Sequence, residues 1–452
     1  MQTFIKKNIK YLLLFVFFFL CLHFFYSSFQ GDLVYNYGFS YAISRGEVPY
    51  RDFNMIIPPF GAFFYTIPLL LFGTNLVIFN MFQALLLCIL FYILFKLFNK
   101  NAYLFIPIIC MVIPIPFVTS LFAGYNFLLL LELLVLIYLE KNKSNDYLIG
   151  LILGISILTK QTVGFCFCLV SLYYLIKEKK KVFKRIIGFL IPCIIFLLYL
   201  IFTKSLYQFF DMCLFGMFDF TSSNGKIMDY NFILYLVVLS FLIYRIIKDK
   251  SNINNYYVLA FSTIAVPLFD YYHVTLAILS CLILFIDKVN IKYKEFTLGF
   301  NCFLFGIALA LIWFSFKYGF SPNITNFYGF EGKIMNSKLE KDVLAVNEYI
   351  KDNKDSNLII LGANAYFFKI TNKLDITYYD LLNYGNHGYD GTNKLIKKIK
   401  KEKNPIFLIN MSEYKDNSDD RQQINKDVMQ YVIDNYCKEK KIGEYQIFVE
   451  CR

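Results

Sequence analysis

The chain has 452 residues, of which 58% are hydrophobic and only 17% charged, with a mean hydropathy of +0.51. A soluble domain carries about a quarter charged residues, so this balance excludes an ordinary globular enzyme and predicts a polytopic membrane protein. The formal charge of +12 sits almost wholly in residues 1–320 (25 Lys/Arg against 14 Asp/Glu), whereas residues 321–452 carry 20 against 19. Charge so placed reports membrane topology and gives no reason to expect a nucleic-acid partner.

Lys6, Lys7 and Lys10 precede an apolar stretch at 11–29. No small-residue cleavage site follows and further spans do, so the stretch reads as an uncleaved anchor. Residues 30–74 form a long first external loop, whose segment 60–72 is too short to cross a bilayer comfortably, contains Pro68 and is assigned to the interface. Further spans fall near 75–95, 102–119, 124–139, 147–159, 162–176, 186–203, 230–244, 255–269, 272–287 and 296–316, which makes about 11 in all.

Two of these, 147–159 and 162–176, are short and form a hairpin with Thr159-Lys160-Gln161-Thr162 at its tip. Reading 147–176 as one span would put the cluster Lys177, Lys179, Lys180, Lys181, Lys184 and Arg185 outside; the hairpin puts it in the cytoplasm. Eleven spans then leave 19 Lys/Arg in inner segments and six in outer ones. The predicted topology is N-terminus in and C-terminus out, in the plasma membrane of a bacterium. A second external segment, 204–229, carries Asp211, Asp219 and a Ser222-Ser223-Asn224-Gly225 turn, and reads as a flexible flap.

From residue 321 the apolar runs shorten to strand length. Amphipathic helices are predicted at 336–353, over KLIKKIKK and over INKDVMQYVIDNY, and strands over NLIILG, PIFLIN and EYQIFVEC. The alternation predicts a small extracytoplasmic α/β domain, so the chain divides into a membrane catalytic domain, 1–320, and an outer domain, 321–452. Nine of the eleven cysteines lie in or beside apolar runs and read as small core residues; Cys437 and Cys451 alone are placed to pair outside the membrane.

The chemistry is expected in the first external loop, where Asp32 is followed by Gly46-Glu47-Val48-Pro49-Tyr50-Arg51-Asp52-Phe53 and Pro58-Pro59. Carboxylates (Asp32, Glu47, Asp52, Asp270) and cationic candidates (Arg45, Arg51, Lys160, His273) all fall on the predicted outer face. Such a set suits transfer of a phosphate-linked sugar: cations take up the charge of the departing phosphate and a carboxylate takes the acceptor proton.

The PYRD loop resembles the first external loop of the GT-C superfamily of polyprenyl-phosphate-dependent membrane glycosyltransferases. The likeness is to a family 39-like bacterial branch, related to protein O-mannosyltransferases and aminoarabinose transferases. Gly150-x3-Gly154-x5-Lys160-Gln161-Thr162-x-Gly164 resembles a glycine-rich hairpin of these enzymes, and Asp270-Tyr271-Tyr272-His273 a D-x-x-H element between two late helices. The resemblance covers residues 1 to about 320 and implies a GT-C fold, Asp32 as catalytic base, and inversion at the anomeric carbon. A second acid often stands beside that Asp in relatives; here Gly31 and Leu33 flank it, and Asp52 or Asp270 is left to complete the site.

The expected roles are therefore catalytic for Asp32 and Asp52, and substrate-binding for Tyr50, Arg51, Lys160, Gln161, Asp270 and His273. No motif demands a metal, although Asp32 and Asp52 leave room for a shared divalent cation. The expected partners are a polyprenyl-phosphate-linked sugar, the lipid bilayer, and a glycan or protein acceptor selected by the outer domain.

Plainer structural readings stand beside each role. Asp32 suits a helix N-cap, Arg51 and Asp52 a surface ion pair, Lys160 a snorkelling anchor, and Asp270 and His273 the polar residues any loop needs. Glu132, in mid-span, reads as a packing residue, His23 as a core histidine and His387 as a turn residue. A transporter or flippase of a lipid-linked intermediate, and a degenerate transferase retained as an assembly partner, are the competing functional readings.

Overall fold

The structure, a computed structural model, describes residues 11–19, 22, 32–99, 102, 124–143, 145–175, 179–223, 229–286, 337–353, 357–361, 382–411, 414 and 425–451. The predicted spans at 102–119 (but for Ala102) and 296–316, the second half of 11–29 and the boundary near residue 320 lie outside these residues. The remaining eight predicted spans coincide with helices or begin on one.

The membrane part is helical: α1 (residues 11–19), α2 (Asp32–Ser44), α3 (Phe60–Phe72), α4 (Leu76–Phe98), α5 (Tyr125–Lys141), α6 (Asp146–Thr159), α7 (Gln161–Leu175), α8 (Lys179–Phe202), α9 (Leu206–Phe210), α10 (Gly216–Ser223), α11 (Tyr230–Lys248), α12 (Ile253–Ser262) and α13 (Tyr271–Ile286). Among the described residues α4, α8 and α11 are long and apolar enough to cross a membrane, and four shorter helices are mainly apolar. Helix starts are set by short polar caps: the side chains of Asn75, Asn145 and Asn252 each accept a backbone N–H two residues on, satisfying donors that lipid cannot.

Helix α5 lies at the centre, with ten of its seventeen residues buried. Around it α6 and α8 make the closest contact in the bundle. A Cβ on Gly150 would fall 2.1 Å from the Arg185 carbonyl oxygen, and one on Gly188 would fall 2.1 Å from that of Tyr147; only glycine lets the two backbones touch. At this end of the bundle the buried guanidinium of Arg185 donates to Glu140 (2.6 and 3.0 Å), Asp146 (2.9 Å) and Ser171 (2.8 Å). Tyr257 adds a hydrogen bond to Glu140 at 3.0 Å. One arginine thereby ties the ends of α5 and α6 to α7, α8 and α12. The opposite ends of α5, α6 and α7 and the segment after α12 line the cavity described below.

The predicted flap at 204–229 is helical over most of its length. Helix α9 runs into a π-helical turn, Asp211–Phe215, and then α10. Exposed Tyr207, Phe210, Leu214, Phe215 and Phe218 recur at helical spacing, a pattern the turn residues at 222–225 concealed.

The C-terminal unit comprises α14 (Ser337–Asp352), β1 (Asn357–Leu361), α15 (Gly391–Ile399), β2 (Pro405–Asn410), α16 (Lys426–Asn435), β3 (Cys437–Ile442) and β4 (Tyr445–Val449). Its sheet has the order β1-β2-β4-β3, with β1 and β2 parallel and the other pairs antiparallel. Leu361, Phe407, Ile409, Val428, Met429, Val432 and Phe448 form its dry core. Strand β3 was not predicted, because CKEKKI is a charged, exposed edge strand without apolar alternation. Cys437 and Cys451 form a disulfide across this hairpin.

Candidate active site

The first loop builds its own frame. Tyr50 takes φ 70, a costly conformation for a bulky residue, fixed by Tyr50 N–H to the Phe53 carbonyl (2.8 Å) and Tyr50 OH to the Ile57 carbonyl (2.7 Å). Its ring is fully buried, edge-on to Phe209 at 5.3 Å, and burial pushes the phenol well above its usual range. Both oxygens of Asp52 accept from Arg51, each at 2.8 Å, and one also accepts the Val48 N–H at 2.7 Å. The hydrogen-bonded Arg51 guanidinium holds that carboxyl below the usual carboxylate range. A cation shared between Asp52 and Asp32 would therefore have to displace Arg51.

A cavity of about 170 Å³ opens beside this loop. Helix α2 supplies Tyr35, Asn36 and Phe39; the loop, Ile56 and Ile57; the α6–α7 junction, Lys160, Gln161 and Thr162; and α10, Met217, Phe220 and Thr221. The α12–α13 connection contributes Ile264, Val266, Pro267 and Leu268, and the first turn of α13 His273, while Tyr125 closes one wall and Asn383 and Asn386 come from the C-terminal unit. The walls are mostly apolar and the polar groups few, the usual make-up of a ligand pocket.

Lys160 is the extended residue between α6 and α7. Its ammonium lies 5.5 Å from the centre of the Tyr125 ring and donates to the Ile264 carbonyl at 3.4 Å. Gln161 donates to the carbonyls of Ile56 (3.2 Å) and Cys213 (3.1 Å), which pins the hairpin tip to the first loop and the π turn. Just behind, the buried Glu132 accepts from Thr159 at 2.7 Å.

Asp270 stands before α13 and serves as its cap: one carboxylate oxygen accepts the His273 N–H at 2.9 Å, and the other lies 2.7 Å from His273 Nδ1. Burial pushes this carboxyl up, but the His273 ring, the His273 N–H and Lys160 outweigh it and hold the group below the usual carboxylate range. Nε2 of His273, on the cavity wall, has no hydrogen-bond partner among the described residues. The carboxylate thus fixes the orientation of an imidazole whose Nε2 is buried in the cavity wall.

Of the sequence candidates, the structure brings Lys160, Gln161 and His273 to one cavity, with Asp270 behind His273. Tyr50, Arg51 and Asp52 form the adjoining loop and do not line the cavity. Asp32 is the first residue of α2, whose next turn supplies Tyr35 and Asn36; the Asp32 side chain lies outside the described residues. His387 falls in a turn, and His23 lies outside the described residues. Sequence reasoning missed Asn36, although it stands four residues after Asp32 and hence on the same helix face. It also missed Asn383 and Asn386, for which no local signal existed.

Residues 56–269 match the model of glycosyltransferase family 87, a stretch that includes Lys160 and Gln161. The whole chain is similar in structure to ArnT from Cupriavidus metallidurans. Its apo crystal structure matches with a TM-score of 0.55 at 12% identity, and its crystal structure bound to undecaprenyl phosphate with 0.50 at 11%. Each comparison covers 98% of both chains. No curated protein sequence matches.

Proposed function

We propose that the chain is a membrane glycosyltransferase of the GT-C type that transfers a sugar from a polyprenyl-phosphate donor to a cell-envelope acceptor, glycan or protein, on the external face, a reading supported by the family 87 match over 56–269 and by the likeness in fold to ArnT. In this reading the acceptor oxygen attacks the anomeric carbon as the bond from that carbon to the phosphate oxygen breaks. Asp32 takes the acceptor proton, polyprenyl phosphate leaves, and one displacement inverts the configuration. Lys160 holds the phosphate, and His273, oriented by Asp270, stands on the same cavity wall beside the oxygen on which charge develops. Arg51 and Asp52 hold the loop that forms the floor.

The observation that carries this reading is the convergence of Lys160, Gln161 and His273, from separate helix ends, on one apolar-walled cavity beside the helix that begins at Asp32. These polar groups sit where helices end. A carrier would instead gather them at broken helices midway through the bilayer, so the arrangement favours transfer over transport.

The proposed topology has 11 spans, the N-terminus inside, a membrane catalytic domain at 1–320 and an extracytoplasmic unit at 321–452. It is supported by the Lys-rich start of α8 beside Arg185, at the end of the bundle opposite the cavity, and by a disulfide in the C-terminal unit, a bond that persists in oxidising compartments. The experiment that tests the function is transfer from polyprenyl-phosphate sugars by the purified protein. Asp32→Asn should fold and abolish product; full activity in that variant contradicts the assignment of the base.

A further inference from the structure

We infer that the turn Asn383–Asn386 of the C-terminal unit is a subsite for the glycosyl group of the lipid donor, held over the cavity by Asp211 and Asp219. This rests on the donor reading above and adds to it a substrate-selecting element some 220 residues beyond the hairpin that carries Lys160.

Asn383 and Asn386 line the same cavity as Lys160 and His273. Their carboxamides offer both acceptors and donors without charge, a match for the hydroxyls of a sugar ring rather than for a phosphate. Among the described residues the C-terminal unit contributes no cation to the wall: the Lys394 ammonium is held by Asp211 at 2.6 Å. The cap therefore offers the cavity neutral amides alone, whereas the membrane part offers the cationic Lys160 together with the neutral Asn36 and Gln161.

A subsite selects only if its groups are held in place, and this turn is fixed at several points. Asp211 accepts the Tyr389 N–H at 3.2 Å and Asp219 the Asp390 N–H at 2.7 Å. Asn54, from the first loop, donates to the Asn386 carbonyl at 3.4 Å. The backbone lies against α10 so closely that a Cβ on Gly385 (φ 86) would fall 2.5 Å from the Phe220 Cα, and one on Gly388 (φ 80) would fall 2.4 Å from an Asp211 oxygen. The two glycines flanking Asn386 are therefore required by both conformation and approach.

The test uses the full-length protein in lipid nanodiscs and compares the affinity for bare undecaprenyl phosphate with that for a panel of undecaprenyl-phosphoryl hexoses and pentoses. Wild type should bind one glycosylated lipid at least tenfold more tightly than the bare one. Asn383→Ala and Asn386→Ala should each reduce that preference to threefold or less while binding bare lipid as wild type does, which also reports that they fold. A preference retained in both variants, or absent from wild type, overturns the subsite and leaves the donor reading standing. Failure of wild type to bind any of these lipids overturns the donor reading, and the subsite with it.

Discussion

Asp270 and His273 are joined twice over: one carboxylate oxygen holds the backbone N–H of His273 at 2.9 Å and the other meets its Nδ1 at 2.7 Å. The same acid therefore starts helix α13 and orients the ring that faces the cavity. The paired carboxyl has a folded pKa below its unfolded value, near 3.9. Its contribution to stability is thus complete above about pH 4 and is lost as pH falls through the folded value. Thermal unfolding between pH 6 and pH 3 should show a smaller acid-side loss in Asp270→Asn than in wild type; identical profiles contradict the pairing. Transfer activity of His273→Ala should fall on the order of 100-fold or more, the usual size of a lost polar group beside developing charge, and assay with polyprenyl-phosphate sugars measures it.

Arg185 concentrates two carboxylates, a serine hydroxyl and several helix ends on one buried guanidinium. Removing it leaves Glu140 and Asp146 without their counter-charge, and breaking a buried pair in this way costs about 3–5 kcal/mol. Arg185→Leu should lower the unfolding midpoint in detergent markedly, and Arg185→Lys should recover only part of it, since an ammonium cannot reproduce the forked geometry. An unchanged midpoint in Arg185→Leu would contradict the role given to this network.

How much of this was legible in the sequence follows from how local each signal is. The short apolar runs on either side of Lys160 and Gln161, together with the basic cluster from Lys177 to Arg185 that must lie inside, mark a hairpin tip, and α6 and α7 meet there. NLIIL and PIFLIN announce buried strands, and they pair in parallel register from Asn357 with Pro405 to Leu361 with Ile409. CKEKKI announces nothing, because an edge strand held by its neighbour and a disulfide needs no apolar face. Asp211 read as a residue of a loose flap since its partners, Tyr389 and Lys394, stand 178 and 183 residues away. Asn383 and Asn386 reach the cavity only through that same long-range contact.

The disulfide closes a loop with a sequence separation of 14, for which chain entropy predicts about 3 kcal/mol of stabilisation. Cys451→Ser, or reduction of the wild type, should lower the stability of the C-terminal unit by roughly that amount, read as faster proteolysis within 425–452. A membrane-impermeant thiol reagent applied to intact cells after mild reduction should label Cys437 and Cys451; protection of both until the cells are broken would contradict an extracytoplasmic C-terminal unit.

In the proposed reaction the phosphate of the lipid donor sits at Lys160, in the cavity that Asn383 and Asn386 of the C-terminal unit also line. An experimental structure of the protein with undecaprenyl phosphate tests it most directly. A phosphate oxygen is expected about 3 Å from Lys160 Nζ, on the side of the cavity facing Tyr125 and His273. A phosphate bound at the Arg185 end of the bundle, or anywhere out of reach of Lys160, would contradict it.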